Sequence, residues 1–260
     1  MKILFTVALY ILVMIGCADE TTTKKGSAHN SLPAALQDTT VLYALQQFQT
    51  KLVENGRINA AINLKNEQIQ VGDTTIRLKI KVEYQGQKDG QNIFAANFMT
   101  SLVIPTGENT EIDNGVIGIG SDPQQAYKNC VQDWMNVFGN PLANLVNKKN
   151  AFSIDNMNVY AGLMGIRGSM PGNTWLKGDE LMSRRIFGGI GQLVKSNKDK
   201  IVPVDIKLLV EKGKVVSGDC RLGNIVSFEL LKKMKALPWP AAPQKFIFSQ
   251  FYLVEKKGIE

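Results

Sequence analysis

Apolar residues recur at two periods along this chain, and each switch of period marks a new element. Over residues 38–54, Val41, Leu42, Leu45, Phe48, Leu52 and Val53 fall near i, i+3/i+4, i+7 spacing, which predicts an amphipathic helix. Asp38-Thr39-Thr40 offers N-cap chemistry and Asn55-Gly56 a stop signal. Residues 75–84 alternate instead: Ile76, Leu78, Ile80, Val82 and Tyr84 on one face, Arg77, Lys79, Lys81 and Glu83 on the other. That is an antiparallel strand with one wet face. Residues 85–91, with two glycines and an Asp, read as its turn, and residues 93–104 as the partner strand.

A polar loop is expected over 106–114 and a short strand over 116–119. Ser121-Asp122-Pro123 starts a helix, with Asp as N-cap and Pro at the first helical position. That helix runs to about Phe138, lining one face with Tyr127, Cys130, Val131, Trp134, Val137 and Phe138. Gly139-Asn140-Pro141 is expected to break it, with a short helical piece continuing to Leu145. Residues 159–166 read as a strand. Eight glycines between 162 and 191 predict irregular loop with one short helix over 180–187. Residues 201–211 and 215–222 form a hairpin across Lys212-Gly213-Lys214. Residues 227–237 are a basic amphipathic helix, with Leu230, Leu231, Met234 and Leu237 inside and Lys232, Lys233 and Lys235 outside. Pro238-Trp239-Pro240 ends it. Residues 246–254 are apolar on both faces, as a central strand would be. The sum is an α+β fold of mostly antiparallel sheet with about three amphipathic helices packed on it.

The first 20 residues follow a third pattern. Lys2 precedes an apolar run of about 13 residues, broken only by Thr6 and the Tyr10 hydroxyl; Gly16, Cys17 and the polar Ala18-Asp19-Glu20 follow. The run is short of the roughly 20 residues that a spanning helix needs and has the layout of a secretory signal. Met14-Ile15-Gly16-Cys17 resembles the lipobox of bacterial lipoproteins, with Met14 where Leu is usual. The resemblance implies cleavage after Gly16, acylation of Cys17 and a lipid-anchored place in the cell envelope, on the outer membrane. Asp19-Glu20 is similar to the surface-export signals of Bacteroidota lipoproteins. The expected organisation is a signal peptide over 1–16, a flexible tether over 17–37, and a globular domain over 38–260 with a potential subdivision near 150.

Composition narrows the chemistry. At 44% apolar residues the chain can bury a core. Removal of Lys2 with the signal takes the formal charge from +7 to +6, and the basic residues are scattered, with no stripe of the kind nucleic-acid binders show. The only histidine, His29, lies in the tether. That argues against a Ser-His-Asp triad and His-based zinc sites; neither G-x-S-x-G, S-x-x-K nor a Walker A loop occurs. Residues 115–120 suggest a phosphate loop, but the third glycine of such a fingerprint falls at Pro123 and no βαβ pattern surrounds it. No cofactor or metal is expected.

Cys130 and Cys220 both point inward, so they either pair or sit as separate buried thiols. Asp155, Asp179, Glu180, Asp205 and Asp219 leave carboxylate chemistry open. The glycine-rich stretch and its flank offer Arg167, Met170, Trp175, Arg184 and Arg185 as a ligand or partner surface. The expected function is a binding or accessory module of the envelope, held to the bilayer through acylated Cys17 and meeting an envelope protein or glycan. The alternative is a carboxylate-based hydrolase of glycans.

One further likeness is short. Gly118-Ile119-Gly120-Ser121-Asp122-Pro123-Gln124-Gln125-Ala126, continuing to Asp133-Trp134, is similar to the glycine-strand, capped-helix and aromatic signature of an uncharacterised bacterial family, domain of unknown function 6348. It implies no activity and no catalytic residues.

Overall fold

The computed structural model describes residues 34–56, 59–103, 109–167, 179–223, 225–242 and 244–258. Helix α1, Ala34–Glu54, begins before the expected Asp38 cap, because Ala34, Ala35 and Leu36 are strong helix formers. Residues 34–37 therefore belong to the helix and not to a tether. Its buried stripe is Ala44, Leu45, Phe48 and Leu52.

Five strands follow as an antiparallel meander in chain order: β1 (Ala60–Asn63), β2 (Gln68–Val71), β3 (Thr74–Lys88), β4 (Gln91–Val103) and β5 (Asn109–Gly120). Two of them exceed the sequence expectation. β3 does not stop at Tyr84; a bulge between Tyr84 and Gly86 carries it on to Lys88. The turn is then Asp89-Gly90, whose φ values of 53° and 75° suit a tight hairpin. β5 starts within the expected polar loop, with Asn109–Asn114 opposite Val103–Phe98 of β4. Ladder hydrogen bonds hold a strand whose first half, with Ile112 alone among polar residues, shows no apolar alternation.

Helix α2 (Pro123–Trp134) starts as its sequence predicts: the Gln125 N–H donates to Asp122 Oδ1 at 2.9 Å. The glycines before it serve close packing. A Cβ at Gly118 would lie 1.9 Å from the Ala126 carbonyl oxygen, and one at Gly120 2.4 Å from the Ala126 nitrogen.

Gly139-Asn140-Pro141 does not break this helix. One π turn, Met135–Gly139, leads directly into α3, Asn140–Asn147. The Asn140 N–H bonds to the Met135 carbonyl, five residues back, so the Asn136 carbonyl loses its usual partner. The Leu163 N–H supplies one at 2.9 Å. Pro141 has no N–H to offer the Val137 carbonyl, and Gly162 packs against that oxygen so closely that a Cβ would lie 2.0 Å away.

The second sheet contains β6 (Phe152–Ile154), β7 (Met157–Ala161), β8 (Gly165–Arg167), β9 (Ile201–Glu211), β10 (Lys214–Leu222), β11 (Ile225–Val226) and β12 (Phe246–Lys256). Its order is β11-β10-β9-β12-β7-β6, with β8 also paired to β12. The strand expected over 159–166 is thus split at 162–164, where the chain reaches out to the π turn. Between β8 and β9 lies α4, Asp179–Ser196, far longer than the short helix expected over 180–187. Gly188, Gly189 and Gly191 lie inside it. Burial of Ser183, Ile186, Phe187, Ile190 and Val194 on one stripe outweighs their poor propensity. Helix α5, Phe228–Ala236, is capped by Ser227, whose hydroxyl accepts from the Leu230 N–H at 3.1 Å.

β12 joins the layers. Phe251 and Leu253 enter an inner core with α1, α2, α3 and the first sheet, while Phe246, Phe248, Tyr252 and Val254 enter an outer core with α4, α5 and Trp239. The α+β architecture therefore stacks sheet, helices, sheet and helices.

Trp134 is fully buried, with its ring edge-on to Phe48 at 5.6 Å between centroids. Trp134→Ala should lower unfolding free energy by about 3–5 kcal/mol in denaturant melts. Gly188→Ala should do the opposite, because its Cβ would meet no atom within 4 Å; a gain of about 0.5–1 kcal/mol is expected.

Candidate functional site

Of the five residues that the sequence offers as a partner surface, the structure describes two as side chains. Arg184 and Arg185 are both exposed in the first half of α4. The Arg184 guanidinium lies over the Phe152 ring at 5.9 Å, which braces α4 against the β6–β7 hairpin. Arg167 ends β8, opposite Ile247 of β12. Met170 and Trp175 lie outside the described residues, as does Cys17.

Cys130 and Cys220 are buried and not joined by a disulfide. The Cys130 thiol donates to the Val116 carbonyl at 3.6 Å in the inner core, whereas Cys220 belongs to the outer core. The second sheet separates them, a separation that inward direction alone could not reveal. Burial first, then Asp205 and Asp219, pushes the Cys220 thiol up to about 12, which keeps it unreactive at neutral pH.

Four charged residues cluster on the inner face of the second sheet. Asp205 and Lys207 are two apart on β9, and Asp219 and Arg221 two apart on β10. The register sets Asp205 opposite Arg221 and Lys207 opposite Asp219. The result is a square of alternating sign. Lys207 Nζ lies 3.0 Å from Asp205 Oδ2, and Arg221 Nε 3.4 Å from Asp219 Oδ2. The four side chains are only 9–14% exposed, where β5 of the first sheet meets β9. A slip of the β9–β10 ladder by two residues brings like charges opposite: Asp205 to Asp219 one way, Lys207 to Arg221 the other. The cluster therefore disfavours a two-residue slip in either direction.

A second polar group closes the same face. Tyr160 donates to Glu255 Oε2 at 3.2 Å, and Lys148 Nζ reaches Glu255 Oε1 at 2.5 Å. Burial, then the neighbouring Glu255 charge, raises Tyr160. Burial also raises Glu255, but hydrogen bonding and attraction from Lys148, with help from Tyr160 and Asn158, leave it below its ordinary 4.5.

Each acid that the sequence set aside for hydrolysis and that is described as a side chain faces a cation: Asp155 pairs with Lys195 at 3.4 Å, Asp205 with Lys207, and Asp219 with Arg221. Asp179 and Glu180 begin α4, and their side chains lie outside the described set. Among the described residues no group of three or more His, Cys, Asp or Glu could hold a metal ion.

The least satisfied surface is one the sequence reading passed over. Ile225, Val226 and Phe228 are 73%, 52% and 81% exposed, at the free edge of the second sheet and the first turn of α5. The signal was present in Ile225-Val226-Ser227-Phe228, an apolar run wrapped around a capping serine. No family model, curated protein or solved structure matches the chain.

The two thiols should resist iodoacetamide in the native protein and react in denaturant, and reducing and non-reducing gels should give one mobility. Lys148→Met removes the main force holding Glu255 down. The stabilisation from a depressed carboxyl is full above its unfolded value and is lost as pH falls through the folded one. Without Lys148 the folded value rises, so the acid-unfolding midpoint should move to higher pH.

Proposed function

We propose that this chain is a lipid-anchored envelope protein whose folded part binds a partner, either an envelope protein or a glycan. The observation that carries this reading is the run from Lys2 through Met14-Ile15-Gly16-Cys17. Two acyl chains or more on Cys17 supply the number needed for stable anchoring. No helix among the described residues is long and apolar enough to cross a membrane, so they add no second helical hold. The ion-paired state of Asp155, Asp205 and Asp219 supports binding over carboxylate catalysis. The partner surface in this reading is the start of α4, with Arg184 and Arg185, and the 168–178 connection that leads to it.

Cys17→Ser tests the anchor. The wild-type chain should be found in membranes at the mass of residues 17–260 plus lipid, and the variant should accumulate as uncleaved precursor or as soluble protein. A variant that stays in membranes at the wild-type mature mass would sink the reading. Arg184→Glu with Arg185→Glu should leave anchoring intact and reduce the partner recovered by crosslinking from those membranes.

A further inference from the structure

Three exposed apolar residues fall within four positions of the chain at the edge of the second sheet. β11 has only two residues, paired to β10 at Arg221↔Val226 and Leu222↔Ile225. Successive strand residues point to opposite faces, yet neither Ile225 nor Val226 is covered. Phe228 follows at the first position of α5 and is the most exposed of the large hydrophobic side chains described. Leu230 and Met234 turn inward from the same helix. Phe228, Lys232 and Lys235 stand at i, i+4 and i+7 and share its outer face. α5 carries three lysines against one acid, Glu229.

We propose that this tip is a membrane-docking element, with Ile225, Val226 and Phe228 entering the headgroup boundary of an anionic bilayer and Lys232 and Lys235 meeting its negative surface. An aromatic ring beside ammonium groups on long apolar stems is the combination that seats at such a boundary. A second copy of the chain is a poorer occupant. A two-residue edge strand is too short for extended edge-to-edge pairing, and three side chains expose far less than the roughly 800 Å² per partner of a stable protein interface. A bilayer asks for no matching shape.

The inference rests on the anchored reading. Between Cys17 and α1 lie 16 residues, whose fully extended reach of about 50–60 Å exceeds the roughly 45 Å breadth of a globule this size. The acylated end can therefore sit in the bilayer that the tip touches. The protein would be held twice: firmly by lipid, and weakly by a surface that sets its orientation.

The test uses the full chain, produced in its bacterial host and reconstituted into vesicles of phosphatidylethanolamine with about one-third phosphatidylglycerol. An environment-sensitive dye is placed at Ile225→Cys or, as control, at Asp73→Cys in the exposed β2–β3 turn of the first sheet; the unsubstituted chain gives the background labelling. The Ile225 dye should shift to the blue and be quenched by chain-labelled lipid, and the Asp73 dye should do neither. Phe228→Ser combined with Lys232→Gln and Lys235→Gln should return the Ile225 dye to its aqueous emission with the melting temperature unchanged. Each lysine change alone should lower the docked-to-undocked ratio about fivefold. Equal behaviour at both positions, or equal quenching in vesicles without phosphatidylglycerol, overturns the proposal. So does a concentration-dependent shift in lipid-free detergent, which would identify a second copy as the occupant. Mass spectrometry of the same sample reports acylation separately. No docking with Cys17 acylated removes only the tip, and docking with Cys17 unmodified removes only the anchor.

Discussion

Burial of β12 on both faces is the constraint on which the other layers depend. A strand between two cores needs apolar residues at nearly every position, and Phe246 through Val254 comes close to that. The two exceptions are handled locally. Gln250 donates from Nε2 to the Gly162 carbonyl at 2.6 Å, and Ser249 from Oγ to the Gly165 carbonyl at 3.4 Å. The two acceptors bracket the interruption of the neighbouring strand: Gly162 opens it, and Gly165 begins β8 just after it. The polar positions of β12 thus fall where its partner leaves carbonyls to be satisfied, and the apolar ones where two helical layers need a floor.

Much of this was legible in the chain. Periodicity identified the central strand, the β9–β10 hairpin and the inner faces of α2 and α5, because those segments carry their own burial pattern and their own caps. Legibility failed where structure came from a neighbour. Asn109–Asn114 shows no apolar alternation, and its strand exists because β4 offers a ladder. Gly188, Gly189 and Gly191 read as loop because propensity is local while the packing of Ile186, Phe187 and Ile190 is not. Pro141 read as a helix stop, since nothing before it announces a π turn or the Leu163 amide that completes it.

The candidate site was less legible than the fold, for a related reason. Asp205, Lys207, Asp219 and Arg221 are unremarkable in sequence; only the register of one hairpin turns them into a closed square. Their burial does not make that square strongly stabilising, since desolvation offsets much of the attraction between buried charges. Its contribution is to penalise wrong pairings in a hairpin whose outer face, dominated by Val204, Ile206 and Leu208, discriminates register weakly. The arginine surface rests on a segment flanked by β8 and α4, where composition can point to a loop but cannot say what the loop faces. The apolar tip was missed because an amphipathic reading of α5 looks inward, for what the helix buries.

The junction at the π turn has a consequence in time. The Asn136 carbonyl waits for the Leu163 amide, and the inner core built by α1, α2 and α3 waits for Phe251 and Leu253. Chain synthesis runs from the N-terminal end, so Phe138 emerges without Phe251, its edge-on ring partner at 4.7 Å. Neither core is complete until residues 246–256 have left the ribosome, because both include side chains of β12. The two sheets are therefore not two independently maturing units, despite their separate stretches of sequence. The last of the packing in both cores is therefore added only when the final strand has emerged.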